Sequence, residues 1–560
     1  MKLNNILLAL VCLVPLFSCE DKMDYNESVS YDEKQIFSNF DRSKNFVSNI
    51  YSYLDSDFGT FDGAMLSSAC DESDYVWKSS GIHDFYNGAW SAGNAKSSVW
   101  NNSYAGIRAV NFFLQASQDK TFSEFKYNTD YYEQMERFQR YQYEIRFLRA
   151  YFYFNLVRQY GDVPLVTKVL TPAEANSVSR QPYSEVFDFI VSECDDIVME
   201  LPVTYDNQKF TETGRITRAT VLALKARTLL YKASDLFNTS KNLQYWSDAA
   251  VANKAVIDSC VAYGKSLGSY TALWGTDNYK ASEVIFARRV GDLNYFEANN
   301  YPIGVEGGKS GNCPSQTLAD AYEMKATGLR WDEPNSGYKS DKPFDGRDPR
   351  FAMTIAKNGD TGWPSYNSKE LQTYVGGLNG APLSGATTTG YYLKKYMDPS
   401  VDLRPSTSNS KRHSWITYRL GEFYLNYAEA TFRYLGSADA TDAKLTIAAR
   451  AAVNSIRQRT GVGMPPLASG LSNEEFDRRY KNERMVELAF EGHRFWDVRR
   501  WKEGNLLKSI TCLKIEKIAD NQFLYSRFEK QRSWEDKMYF FPIPDSERRK
   551  NSNLSQNAGW

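Results

Sequence analysis

The run YQYEIRFLRAYFYFNLVRQYGDVPL, residues 141–165, decides the fold class. Ile145, Leu148, Phe152 and Leu156 recur at three- and four-residue spacing, which puts them on one stripe of a helix. Gly161 and then Pro164 stop it, because Gly accepts the conformation past the last turn and Pro cannot continue a helix. A second stripe, Ala219, Leu222, Ala223, Ala226, Leu229 and Leu230, predicts another helix. A shorter helix containing Trp246, Ala249, Ala250 and Val256 is expected to follow it. A third pair joins Leu420, Tyr424, Tyr427, Ala428 and Phe432 to Ile447, Ala448, Ala451, Val453 and Ile456. Such pairs, with small Ala where helices must approach, resemble tetratricopeptide units. The expected fold is mostly α: tetratricopeptide-like helix pairs forming a scaffold, with loop-rich insertions and a few short strands. A long insertion separates the second pair from the third, so one continuous array is not expected.

That insertion, about 266–415, is rich in Gly, Pro, Ser, Thr and Asn, with Gly307-Gly308, Gly376-Gly377 and Thr387-Thr388-Thr389-Gly390. One run in it, Val284 to Val290, reads as a strand. A second loop-rich region covers about 56–98 and carries Asp74, Tyr75, Trp77, Tyr86 and Trp90. Loops borne on a rigid frame are where recognition residues collect. The body thus divides into a helical part at about 30–265, the insertion at about 266–415, and a C-terminal part at about 416–560 with the last helix pair.

The 560 residues hold 67 basic and 68 acidic side chains, a balance that argues against nucleic acid, which needs a basic footprint. Aromatics make up 15% of the chain, with 38 Tyr, 32 Phe and 12 Trp. A surplus left on the surface suits flat, neutral partners such as sugars. Of the seven cysteines, Cys12 and Cys19 lie near the amino terminus, leaving Cys70, Cys194, Cys260, Cys313 and Cys512. No CxxC pair exists, so neither a zinc site nor a disulfide framework is indicated, and buried free thiols are expected.

At the amino terminus, Lys2 precedes an apolar run from Ile6 to Phe17, too short to span a bilayer comfortably. Leu16-Phe17-Ser18-Cys19 then reads as a bacterial lipobox, with residues 1–18 as signal peptide and Cys19 as the acylated first residue. Several acyl chains, at ~0.8 kcal/mol per buried CH₂, anchor a protein firmly where one would not. The alternative is an ordinary signal peptide cut near Ser18. The polar residues Glu20 to Asn26 suit a tether.

Several further stretches, in order, resemble the SusD/RagB family of outer-membrane lipoproteins from Bacteroidetes. They include Trp100 to Ile107 with Asn111, Glu144 to Phe154, Tyr160 to Leu165, Gly214 to Arg218 and Cys313 to Leu318. The most specific lie at the C-terminal end: Arg419 to Ala430, Glu483 to Asp497, Phe541 to Pro544 and Asn553 to Trp560. The resemblance implies a substrate-capturing lid on a SusC-like TonB-dependent transporter barrel, binding glycans and sometimes peptides. It also implies helical repeats that face the barrel and loops that face the ligand.

For catalysis the residues offer little. Only His83, His413 and His493 could serve as imidazole bases, and no HExxH, Walker A or dinucleotide motif occurs. Glu483, Glu487 and Glu491, spaced by four beside Arg484 and Arg494, read as a salt-bridge network rather than a hydrolase pair. No enzyme activity, cofactor or metal is expected. Sugar recognition needs rings that lie on a pyranose face and polar groups that meet its hydroxyls. Near 74–94 the candidates are Asp74, Trp77, Trp90 and Asn94. Around 292–331 they are Asp292, Tyr295, Asn299, Tyr301, Lys309 and Trp331. Trp100, Trp415, Trp496 and Trp501 lie inside helical or family motifs and are assigned to structure. The expected function is capture of an oligo- or polysaccharide at the cell surface for import by the barrel. A peptide-capturing relative, a tetratricopeptide envelope adaptor without small ligand and a lipid-anchored glycoside hydrolase are the alternatives.

Overall fold

Gly106 sets the spacing of the first two scaffold helices. It lies in α1 (Ser98–Ala116), where an added Cβ would stand 2.5 Å from the Phe152 ring of α2 (Tyr131–Tyr160). The Phe152 ring therefore packs directly on the backbone of α1. On α2 the predicted stripe of Ile145, Leu148, Phe152 and Leu156 is fully buried, and the helix ends at Tyr160 before Gly161. The computed structural model describes residues 33–205 and 212–560; Cys19 and its lipobox lie outside the described residues.

From α2 the chain continues through α3 (Tyr183–Ile197), α4 (Arg218–Ala233) and α5 (Leu243–Ala262), each packed on the one before. The helix at Trp246 is longer than its partner, 20 residues against 16, because Asn242 caps it early and polar residues extend its outer face. On α4, Leu222 and Leu229 are only half-buried while Val221 and Leu224 are enclosed. A helix held between two neighbours buries two faces, so a single stripe misplaces its edge.

The main departure from expectation is the array itself. After the insertion, α6 (Leu420–Leu435) returns to pack directly along α5, and α7 (Ala449–Arg457) packs on α6. In space the helices form one uninterrupted stack, although some 150 residues separate α5 from α6 in sequence. Ala448 caps α7 instead of lying in it, and Ala451 faces solvent.

The strands serve the loops. Val284–Arg288, here β2, pairs antiparallel with Trp415–Arg419, β4, at the two ends of the insertion. β1 (Ser73–Tyr75) pairs with β3 (Asn312–Pro314), joining the two loop-rich regions. A hairpin of β5 (Ser509–Ala519) and β6 (Gln522–Gln531) is the longest sheet element and was not foreseen. Phe58, Phe296, Tyr301, Tyr391, Tyr396 and Trp415 build a second core under the loops, which Leu513 and Ile515 of the hairpin join.

Between the two cores lies a buried charge network. On α8 (Asn473–Glu487), Glu483 and Glu487 share a face, and Glu491 follows just past the helix end. Arg350 reaches Glu483 at 2.7 Å and Glu487 at 2.9 Å, Arg457 reaches Glu483 at 2.8 Å, and Lys395 reaches Glu491 at 2.8 Å. The network is structural, as its spacing suggested, but its cations differ. Arg484 turns to Asp497 and Arg494 to Asp71, each at 2.7 Å. A residue adjacent to Glu483 on a helix points about 100° away from it, so Arg484 faces another layer. The five cysteines are free and buried. Among the described residues, no helix is long and apolar enough to cross a membrane.

Candidate functional site

β1 carries Asp74 and Tyr75 into the paired ladder, and the backbone N–H of Val76 extends the pairing by donating to Gly311 O at 3.1 Å. The chain then turns, Ser80 N donating to Trp77 O at 3.2 Å, which leaves the Trp77 indole half-exposed at the loop surface. Its Nε1 donates to Lys309 O at 2.8 Å. Its benzo edge lies over Gly385, where a Cβ would come within 2.9 Å of Cη2 and where φ is +82. Only glycine fits there, so three loops hold this ring at one angle.

Behind Trp77 stands a polar brace. His83 Nε2 lies 3.1 Å from Trp77 O, and its Nδ1 lies 2.8 Å from the Tyr86 hydroxyl. The carbonyl can only accept, so Nε2 carries the proton and Nδ1 accepts from Tyr86. Burial holds the His83 pKa below its usual value, and Lys78 adds to that effect. Asp74 is buried beside it, with Oδ2 accepting from Thr388 at 2.8 Å and Lys530 at 2.7 Å. Its Oδ1 accepts from Arg532 at 3.1 Å and lies 3.1 Å from the Tyr86 oxygen, whose one proton goes to His83 Nδ1. Burial alone would raise its pKa, but Lys530 and Arg532 hold it well below the carboxylate range. Asp74 is thus a clamp between β1, the 388 loop and β6, with both oxygens committed.

The other candidates separate into two groups. Tyr295 and Asn299 lie four apart on one face of a short helix, Tyr295–Asn300. Tyr295 is 42% exposed and its hydroxyl donates to Phe58 O. Asn299 is half-buried, with its amide 3.8 Å from the Cβ position of Gly63 and its carbonyl against Gly311. The 309–311 turn therefore touches both Trp77 and Asn299. From Gly63 the polar surface continues through Asp62, whose Oδ2 accepts from Gly81 N at 2.9 Å. Lys96, beside Gly81, pairs with Asp84 at 2.5 Å, and Asn94 donates to the same Asp84 oxygen at 2.8 Å. Trp77, Tyr295, Asn299 and Asn94 thus border one set of adjoining loops.

Trp90, Tyr301 and Trp331 do not join them. Trp90 is 3% exposed, its ring within 4.6 Å of Phe541 and 4.9 Å of Trp560, so the C-terminal segment covers it. Tyr301 is fully buried, its hydroxyl donating to Asp398 O at 2.7 Å. Neither ring offers a face to a ligand; each packs a core. Trp331 is half-buried at the hairpin, where the Arg527 guanidinium stands 3.6 Å from its ring centroid and covers one face. Asp292 is exposed and pairs with Arg412 at 3.3 Å. The sequence reading does not single out Gly385, and it names His83 only as a possible base and Thr388 only as part of a loop. The Thr-Thr-Thr-Gly run is visible as a loop, but nothing local shows that Thr388 meets Asp74, 314 positions away. Among the described residues no group of three or more His, Cys, Asp or Glu could hold a metal ion.

A continuous helical-repeat stack bearing one ring-and-amide surface on inserted loops defines a class: a repeat scaffold whose recognition surface is carried by its loops. Residues 282–560 match the SusD family, and residues 26–230 match the family described as "Starch-binding associating with outer membrane". The chain belongs to the SusD/RagB family. It is similar to SusD-like protein P2 of Formosa agariphila, 25% identical over 435 residues that span 73% of this chain and 72% of that one. A crystal structure of a SusD-like protein from Bacteroides fragilis superposes with a TM-score of 0.77 at 26% identity, covering 95% of this chain and 99% of the other. A laminarin-binding SusD-like protein shares the fold, with a TM-score of 0.64 at 21% identity over 93% of this chain and 99% of its own.

Proposed function

We propose that this protein captures a glycan at the outer surface of the outer membrane, anchored by lipid on Cys19, and passes it to a SusC-like TonB-dependent transporter. The half-exposed Trp77 ring carries the reading. It is held at a fixed angle by Lys309 and Gly385, with Asn299 across the 309–311 turn. An indole face gives apolar contact to the C–H face of a pyranose, and amide and hydroxyl groups meet its rim. The fixed ring loses little entropy on binding, which favours a shallow site.

Several observations support the remainder. One matched family is described as associating with the outer membrane, and a relative of the same fold binds laminarin. Glu483, Glu487 and Glu491 are committed to buried ion pairs, so the carboxylates nearest to a hydrolase constellation are held by cations. Capture without turnover fits a transport lid. Individual affinity is modest at such a surface, and many copies on one membrane compensate through multivalency.

Native gels of residues 20–560 with plant, host and microbial polysaccharides test the reading. Retardation by one class, lost in Trp77→Ala, is the expected result, with affinity falling roughly tenfold, about 1.4 kcal/mol. Unchanged retardation in that variant would remove Trp77 from the site. Co-purification of a barrel protein from native membranes tests the partner.

A further inference from the structure

We propose that this protein has a second site, separate from Trp77: a pocket that takes one neutral sugar residue.

The pocket is a cavity of about 130 Å³ between the 55–66 loop and the scaffold helices. Thr60 and Ser98 are exposed where it opens, while Tyr151, Arg227 and Thr417 are buried at its floor. None of Lys309, Gly385, Asn299 and Tyr295 lines it, so it is not an arm of the Trp77 surface. Lys96, on its wall, pairs with the same Asp84 that accepts from Asn94, so the cavity adjoins that set of loops.

Three polar groups on the wall have no hydrogen-bond partner among the described residues: Arg158 Nε, Thr417 Oγ1 and the His493 ring. Thr417 is only 8% exposed. A buried polar group left unmet costs about 1–3 kcal/mol, so these three favour an occupant that meets them. Arg158 has no ion pair among the described residues either. Its Nη2 donates to Asn155 Oδ1 at 2.9 Å, and Asn155 Nδ2 donates to Asp55 Oδ2 at 2.6 Å.

The charges on the wall select the occupant. Arg227 is paired with Glu422 and Glu491 with Lys395, as Lys96 is with Asp84. Burial pushes Asp57 up to about 8, so it carries little charge near neutral pH, and burial raises Asp55 as well. Burial also lowers the His493 pKa, and Arg227, Arg484, Arg419 and Arg158 lower it further, so its ring is neutral, with one nitrogen donating and one accepting. A carboxylate ligand would have to share the cavity with Asp55 and Asp57, and an ammonium with Arg158 and Arg227. A hydroxyl accepts from Arg158, donates to Asp55, and does either with Thr417 and His493. A molecule dense in hydroxyls and without net charge therefore suits this wall, where Phe61, Trp415 and Phe541 meet its C–H groups. The cavity is well below the ~300–1,000 Å³ of drug-sized sites, which limits it to one sugar residue. That residue is either a free monosaccharide or the end of a chain.

Titration calorimetry of residues 20–560 tests the site with glucose, galactose, mannose, xylose and fucose, and with glucuronate and glucosamine as charged counterparts. One neutral sugar is expected to bind, at least roughly tenfold more tightly than the charged ones, and Thr417→Val should weaken it roughly tenfold. Ser98→Phe, which sets a ring at the mouth, should weaken it too, and thermal melting confirms that each variant is folded. Trp77→Ala should leave this binding unchanged. A disaccharide ending in the bound sugar tells the source: binding that depends on Thr417 indicates a chain end, and binding of the free sugar alone a monosaccharide. A charged counterpart that binds equally well would overturn the neutral assignment. Binding indifferent to Thr417→Val and Ser98→Phe, or lost in Trp77→Ala, would place the sugar elsewhere and overturn the second site. Binding by none of these sugars would overturn it too, while leaving polysaccharide capture at Trp77 standing.

Discussion

Arg419 holds Glu487 at two points, Nη1 donating to Oε1 at 2.8 Å and Nη2 to the Glu487 carbonyl at 2.9 Å. Arg419 ends β4, where the insertion rejoins the scaffold, and Glu487 ends α8. Arg350 and Arg459 complete the shell of this fully buried carboxylate. The insertion is thus fastened to the helices through Glu487 among other buried pairs.

Burial alone would raise the Glu487 pKa, but Arg419, Arg459 and Arg350 bring it down to about 2 from an ordinary 4.5. A depressed carboxyl gives stability that is present above 4.5 and lost as pH falls through about 2. Glu487→Gln should lose about 3–5 kcal/mol at neutral pH, because it leaves three buried arginines short of a counter-charge. The difference from the parent should shrink as acid protonates Glu487. Urea unfolding at neutral pH and in acid near the lower limit checks both the size and the sign.

Trp90 and Trp77 lie 13 positions apart and should behave oppositely. Trp90→Ala removes a ring packed against Phe85, Phe541 and Trp560 and should cost about 3–5 kcal/mol, seen as a lower melting temperature. Trp77→Ala should shift melting little and act on glycan retardation. A Trp77 variant that melts as early as the Trp90 variant would make both rings structural.

The thiols should be silent until the protein unfolds. Burial pushes Cys260 and Cys512 up to about 11 and Cys313 up to about 12, so little thiolate exists near neutral pH. Iodoacetamide should label none of the five in native residues 20–560 and all five in denaturant, counted by mass. Labelling of Cys70 or Cys194 under native conditions would show that the scaffold opens locally.

The helices were legible because each buries a local stripe: Ile145, Leu148, Phe152 and Leu156 announce one face without help from elsewhere. The hairpin was not, for a physical reason. Ile510 and Cys512 are buried on alternate positions of β5, and then Leu513 breaks the alternation because its N–H meets Thr389 O and both of its sides are covered. A period of two does not survive a strand that changes its covering partway. The site candidates divided on the same principle. Sequence shows that a ring sits in a Gly- and Ser-rich loop but not what covers it. For Trp90 the cover is Trp560, 470 positions away; Trp77 touches the margins of both cores and Gly385 but stays partly open.

The return of α6 onto α5 has a consequence for how such a molecule can change over generations. The insertion leaves and re-enters at neighbouring points, and β2 and β4 fasten its two ends together. Once the ends meet, the entropy of closing the loop grows only logarithmically with its length, about 0.6 kcal/mol per doubling. Residues can therefore be added to or deleted from its exposed loops at little expense to the stack beneath, so long as the buried Arg350 and Lys395 stay in place. The inserted segment is a cassette: its loops can be rewritten while the frame that carries them stays the same.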